Sequence, residues 1–111
     1  MRTTQTIRRE LTSLQQMAAL TDRDIQQRMK DAPAWQRDGE QSIERQWAFP
    51  DFAAAIAFVN RVAELAEQAD HHPDIRVHGW NKVTLTLSTH SAGGLTDADF
   101  ALAALLDALA P

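Results

Sequence analysis

Cysteine is absent from the 111 residues. Its absence excludes disulfides, a thiol nucleophile and any zinc site built on thiolates, and it fits a reducing cytoplasm. A basic excess is also missing. The formal net charge is -4, so the chain has no surplus of cations with which to grip a phosphate backbone. No apolar run approaches the roughly 20 residues that span a bilayer. The opening stretch MRTTQTIRRELTS lacks the apolar core of a secretory signal. Neither nucleic acid nor membrane is therefore expected as a direct partner. What remains has an ordinary globular composition, 44% hydrophobic, in a length that suits one domain. A core of this size is modest, and oligomerisation would add to it.

Hydrophobic periodicity divides the chain. In residues 1–19, Ile7, Leu11, Leu14 and Ala18 recur at helical spacing. This extension reads either as an amphipathic helix that docks on the domain or a partner subunit, or as a frayed terminal helix without specific function. Residues 20–111 form the domain. Thr21-Asp22-Arg23-Asp24 opens a short helix as a capping box, and Pro33 ends it near Asp31. A hairpin follows around Asp38-Gly39. Its second strand, Ser42 to Phe49, alternates and puts Ile43, Trp47 and Phe49 on one face. Asp51 then caps a long helix with the stripe Phe52, Ile56, Val59, Ala63 and Ala66, widened by Phe58, Val62 and Leu65. Pro73 stops it near Asp70. Asp74 to Trp80 and Lys82 to Ser88 read as two strands, with Val83, Leu85 and Leu87 on one face, Thr84, Thr86 and Ser88 on the other, and Gly79 in the turn or at a bulge. Gly93-Gly94 is a turn. Thr96-x-x-Asp99 is a second capping box, opening a helix with Leu102, Leu105, Leu106 and Leu109 on one face. The expected fold class is α+β: an antiparallel sheet of two hairpins with helices on one face, in the order α-β-β-α-β-β-α after the extension.

Three of the four histidines fall beside strand or helix ends. His71 and His72 follow the long helix, and His90 follows the last strand. The strand pair between them leaves and returns, which brings His90 back toward the pair. Imidazole titrates near neutrality, so converging histidines without cysteine point to proton transfer. Glu67 lies one turn before His71, where a carboxylate would orient the ring and favour its charged form. Plainer readings stand beside this one. Histidines at a helix C-terminus serve as dipole partners, and His90 serves as a solvated loop residue. Glu67, Asp99 and Trp35 taken singly read as a surface carboxylate, a cap and a core residue. His78 reads as structural and exposed. A three-histidine zinc site is the sharper rival, but adjacent histidines rarely ligate one metal from a single turn.

The run Glu67 to Pro73 (EQADHHP), Asn81-Lys82-Val83 and Leu87 to Asp99 (LSTHSAGGLTDAD) together resemble the pterin-4a-carbinolamine dehydratase family. Phe49 to Ala66 resembles that family's long helix and its lead-in, and the resemblance extends over about residues 20–110. It implies a four-stranded antiparallel sheet with three helices packed on one face. It also implies a homodimer or homotetramer. The implied activity is dehydration of 4a-hydroxytetrahydropterin to quinonoid dihydropterin. That reaction recycles the pterin cofactor of aromatic amino acid hydroxylases, and the enzyme itself uses no metal and no cofactor. By the resemblance, His71 and His90 match the acid–base histidines, and His72 the one that holds the pterin and assists. Glu67 matches a supporting carboxylate. Asp70, Pro73, Ser88, Thr89 and Ser91 match the lining of the pterin pocket, and Trp35 a tryptophan near it. Asp99 matches a further acidic position, although its capping role already explains it. The chain departs from the family pattern by one added residue near His78-Gly79 and by Trp80 where tyrosine is usual. The resemblance also carries a non-enzymatic alternative. Some relatives are dimerisation cofactors of a homeodomain transcription factor, and others look like assembly chaperones of the carbon-fixing carboxylase.

Overall fold

The computed structural model describes residues 18–109; residues 1–17, and with them the expected terminal helix, lie outside the described residues. Thr21 caps the first helix, α1 (Asp22–Met29), its hydroxyl accepting the Asp24 N–H at 3.2 Å. The helix ends at Met29, two residues before the expected Asp31. Residues 30–32 continue as tight turns whose N–H groups bond three residues back, because Pro33 keeps the residue before it out of helical geometry. Strands β1 (Gln36–Asp38) and β2 (Ser42–Ala48) form the first hairpin. Gly39 turns it at φ +70, a conformation that glycine adopts without steric cost.

The long helix α2 (Phe52–Ala69) begins at Asp51, whose carboxylate accepts the Ala54 N–H at 2.7 Å. Strands β3 (Asp74–His78) and β4 (Lys82–Leu87) follow, each ending short of the expected Trp80 and Ser88, with Gly79 in the turn. The sheet order is β1-β2-β4-β3 and every pairing is antiparallel. The register sets Ile43 opposite Leu87 and Trp47 opposite Val83. With Leu85, these side chains form the buried face of the sheet. Glu44, Gln46, Thr84 and Thr86 alternate onto the other face, as strand geometry requires. A last helix, α3 (Asp97–Leu109), completes an α+β fold. No helix among the described residues is long and apolar enough to cross a membrane.

The core departs from the expected stripe on α2. Ala55, Phe58, Val62 and Ala66 are buried, whereas Phe52 and Ala63 are exposed. Phe58 decides the rotation. Its ring lies 5.0 Å from both Trp47 and Phe49, and burying a side chain of that size contributes about 1.5–3 kcal/mol. Ala55, one turn earlier, lets the helix approach the sheet. The helix is alanine-rich around its circumference, so periodicity alone could not choose the inward face. On α3, Leu102, Ala103 and Leu106 are buried, and Leu109 packs at the edge. Leu105 is exposed, contrary to the expected stripe, and Ala103 takes the inward place.

Candidate functional site

The C-terminus of α2 sends the two adjacent histidines in opposite directions. Asp70 is left-handed, at φ 50 and ψ 40. Its N–H bonds the Glu67 carbonyl at 3.2 Å, and the His71 N–H bonds the Ala66 carbonyl at 3.2 Å. These are the two reciprocal bonds of a Schellman closure, with aspartate where glycine is usual. Beyond it, Pro73 holds His72 extended. His71 therefore turns inward to α3 and His72 outward.

Each ring meets a carboxylate, but not the one the helical spacing suggests. Glu67 pairs with His72, Nε2 to Oε1 at 2.8 Å, rather than with His71. The left-handed residue at Asp70 ends the helical register, so the spacing of four from Glu67 to His71 no longer places them on one face. His71 instead sets its Nε2 2.6 Å from Oδ1 of Asp99. The Asp99 side chain is 0% exposed and that of His71 16%.

Asp99 stands in the first turn of α3, where backbone N–H groups and the helix dipole favour a negative charge. Its Oδ2 accepts the Thr96 N–H at 2.9 Å and the Thr89 hydroxyl at 2.8 Å. The expected capping box is thus half formed. Asp99 reaches back to Thr96, while the Thr96 hydroxyl turns to that of Thr89, 2.9 Å away.

The same bonds hold the loop that carries His90. Thr89 and Gly94 face one another in a single β-bridge, with N–H to carbonyl distances of 3.1 and 3.3 Å. Between them His90–Ala92 form one 3-10 turn, closed by Gly93 at φ +73. His90 is exposed and directly follows the threonine that shares Asp99 with His71. The end of α2, the start of α3 and the exit of β4 thus meet at one corner. His71, His90 and Asp99 belong to that corner, and His72 with Glu67 stand on its outer side. Ser88 is half-buried and Ser91 exposed in the same loop, and Pro73 is half-buried after the histidine pair. A groove of about 280 Å³ borders His71, walled by Ala69, Asp97, Ala98, Ala101, Leu102 and Leu105. A larger hollow, about 380 Å³, lies over the outer face of the sheet among Gln36, Glu44, Gln46, Arg76 and Thr84, and none of the corner's residues lines it.

Trp35 packs in the core. It is 3% exposed, edge-on to Trp47 at 5.8 Å, and its indole N–H donates to Asp107 at 2.8 Å. Asp107 lies eight residues beyond Asp99 on α3, about 12 Å along the axis. Asp107 also pairs with Arg45, whose guanidinium lies 4.4 Å from the Trp47 ring centre. His78 is half-buried rather than exposed, and its Nε2 meets the Thr84 hydroxyl at 2.8 Å. Among the described residues, no three His, Asp or Glu side chains converge as metal ligands. Sequence reasoning missed the roles of Thr89 and Thr96 as supports of Asp99. The Thr96-x-x-Asp99 box was the available signal, because it aims the aspartate back toward the incoming loop.

A family model described as pterin 4 alpha carbinolamine dehydratase matches residues 18–109. A protein of Acidobacterium capsulatum, provisionally named a pterin-4-alpha-carbinolamine dehydratase, is 54% identical over 93 residues, covering 84% of this chain and 99% of the relative. The crystal structure of a transcriptional coactivator/pterin dehydratase from Brucella melitensis superposes with a TM-score of 0.76 at 35% identity, over 84% of this chain and 99% of that one. A pterin dehydratase-like protein identified as a RuBisCO assembly factor in the alpha-carboxysome is similar at a TM-score of 0.58 and 32% identity, over 68% and 88% of the two chains. With residues 18–109 matched and these relatives covered over most of their length, the chain belongs to the pterin 4 alpha carbinolamine dehydratase family.

Proposed function

We propose that this chain dehydrates a 4a-hydroxytetrahydropterin to the quinonoid dihydropterin and water, recycling the pterin cofactor of aromatic amino acid hydroxylases. The observation that carries the reading is the His71 imidazole, held 2.6 Å from the buried Asp99 carboxylate beside the loop of His90. The substrate is a hemiaminal. Its C4a–oxygen bond breaks, the hydroxyl leaves with an added proton as water, and N5 loses its proton as the C4a–N5 double bond forms. One imidazole gives the proton and another takes it, and both states of imidazole are accessible near neutral pH. His71 and His90 take these two roles. His72, oriented by Glu67, holds the pterin, with Asp70, Pro73, Ser88 and Ser91 around it. The chemistry needs no metal and no cofactor besides the pterin substrate. The reading places the enzyme in the cytoplasm as a homodimer or homotetramer.

The test is dehydration of freshly generated 4a-hydroxytetrahydropterin, followed by ultraviolet absorbance. The wild-type chain is expected to accelerate it over buffer, and His71→Ala to lose roughly 10²–10⁴-fold in kcat, the usual contribution of a positioned acid or base. A folded wild-type chain without acceleration would sink the reading. The search would then turn to a protein partner, a role supported by likeness to the carboxysome assembly factor and by the exposed Trp80 and Phe52.

A further inference from the structure

Each polar group of Thr89 is already bonded within the protein. Its N–H donates to the Gly94 carbonyl at 3.1 Å, and its carbonyl accepts from Ala92 at 3.0 Å and from Gly94 at 3.3 Å. Its hydroxyl donates to Oδ2 of Asp99 at 2.8 Å. A hydroxyl has one proton, so the 2.9 Å contact with Thr96 must run the other way, from the Thr96 hydroxyl to Thr89. The network therefore has a fixed direction: Thr96 O–H to Thr89, Thr89 O–H to Asp99. The Thr96 N–H, which can only donate, reaches the same Oδ2 at 2.9 Å.

Both donors fall on one carboxylate oxygen and leave the other for His71. Asp99 as a carboxylate offers only lone pairs. The 2.6 Å contact to His71 is therefore a bond donated by the ring, and the proton sits on Nε2. We infer that Thr89 is a positioning residue: by anchoring Asp99 it fixes His71 as the Nε2–H tautomer and leaves Nδ1 as the nitrogen that exchanges protons with the substrate. The role assigned to Nδ1 rests on the dehydratase reading, whereas the tautomer rests on the hydrogen bonds alone. Tautomer choice by the partner of the far nitrogen is a general device for directing an imidazole. It differs here in that the fixing carboxylate is itself held by a loop threonine next to a second histidine.

Three variants of the full chain separate this role from simple packing. Thr89→Val removes the hydroxyl at nearly constant volume. Thr89→Ser keeps it. Thr96→Val removes the outer hydroxyl but leaves the Thr96 N–H and the direct bond from Thr89 to Asp99. The readout is the nitrogen-15 spectrum of the histidine rings above neutral pH, with His71 assigned by the signals lost in His71→Gln. In the wild type, Thr89→Ser and Thr96→Val, the proton is expected on Nε2. Thr89→Val is expected to mix the two tautomers and to lower kcat about tenfold, a fraction of a full acid–base contribution, with KM within about twofold. A wild-type His71 carrying its proton on Nδ1 would overturn the inference, and that spectrum decides even where Thr89→Val does not fold. So would a Thr89→Val chain with wild-type tautomer and kcat, or a Thr96→Val chain as mixed as Thr89→Val. Any of these in a chain that still accelerates dehydration leaves the dehydratase reading standing. The assigned tautomer in a chain without acceleration sinks that reading instead and leaves the tautomer assignment in place.

Discussion

His71 and His72 are neighbours in the chain, and each sets Nε2 against a carboxylate at nearly the same distance, 2.6 and 2.8 Å. Distance therefore does not distinguish the two pairs. Surroundings do. The His72 and Glu67 side chains are 58% and 77% exposed, so water screens their attraction. Asp99 is sealed, with its second oxygen bonded to Thr89 and Thr96. Electrostatic attraction, including that of a carboxylate for a ring N–H, is about fourfold stronger at an effective dielectric near 20 than in bulk water. One pair can therefore hold a ring in a set orientation and tautomer. The other is a surface pair of the kind worth about 0–1 kcal/mol, free to open when a ligand arrives. Two adjacent histidines with like partners are thus divided into an oriented ring and an adaptable one by the single left-handed residue before them.

The sharpest way to break this contrast is to remove each carboxylate. Asp99→Ala strands the His71 ring N–H and the Thr96 N–H together, and is expected to destabilise the domain by about 2–4 kcal/mol. Glu67→Ala is expected to cost less than about 1 kcal/mol. Urea denaturation of both variants checks the pair of values. Similar losses would mean that the buried and exposed pairs carry equal weight, and the comparison would fall. His90→Ala sharpens the division between stability and chemistry. Its ring is exposed, so stability is expected to stay within about 0.5 kcal/mol. The dehydration rate is expected to fall roughly 10²-fold. A His90→Ala chain with full activity would remove His90 from the proposed mechanism.

Much of the fold is legible in the sequence, for identifiable reasons. Alternation in β2 and β4, the caps at Thr21 and Asp51, and Pro73 are local signals, and the corresponding elements formed with ends shifted by one or two residues. The inward face of α2 is legible only in part: Phe58, Val62 and Ala66 are buried as expected and Phe52 and Ala63 are not, because alanine makes little distinction between the sides and the aromatic contacts of Phe58 that decide the rotation are long-range. Helical spacing pairs Glu67 with His71 only if the helix continues through Asp70, and it does not. Asp99 reads as a cap from its spacing and as a further acidic position by resemblance, and its pairing with His71 appears only when α3 is set against the end of α2. Trp35 is a pocket neighbour only by resemblance, and its contacts with Trp47 and Asp107 follow from which elements meet. Local chemistry survives translation into sequence. Pairings that depend on which elements meet do not.

The smallest expected effect tests the residue that divides the histidines. Asp70 adopts φ 50, where an L side chain crowds the backbone, although aspartate tolerates this better than most residues. Its two backbone bonds, from its own N–H and that of His71, do not involve its side chain. Glycine at this position would keep both bonds and relieve the crowding. It would also give the unfolded chain more freedom to lose, which works in the opposite direction. The relief is the larger of the two at a left-handed helix end, so Asp70→Gly is expected to stabilise by about 0.5 kcal/mol. Asp70→Val, with a branched side chain in the same conformation, is expected to destabilise by at least about 1 kcal/mol. It should also shift His71 relative to Asp99, which the nitrogen-15 spectrum of the ring would register. Equal stability for Asp70→Gly and Asp70→Val would show that the left-handed turn is not what sends His71 inward, and the division between the two histidines would need another cause.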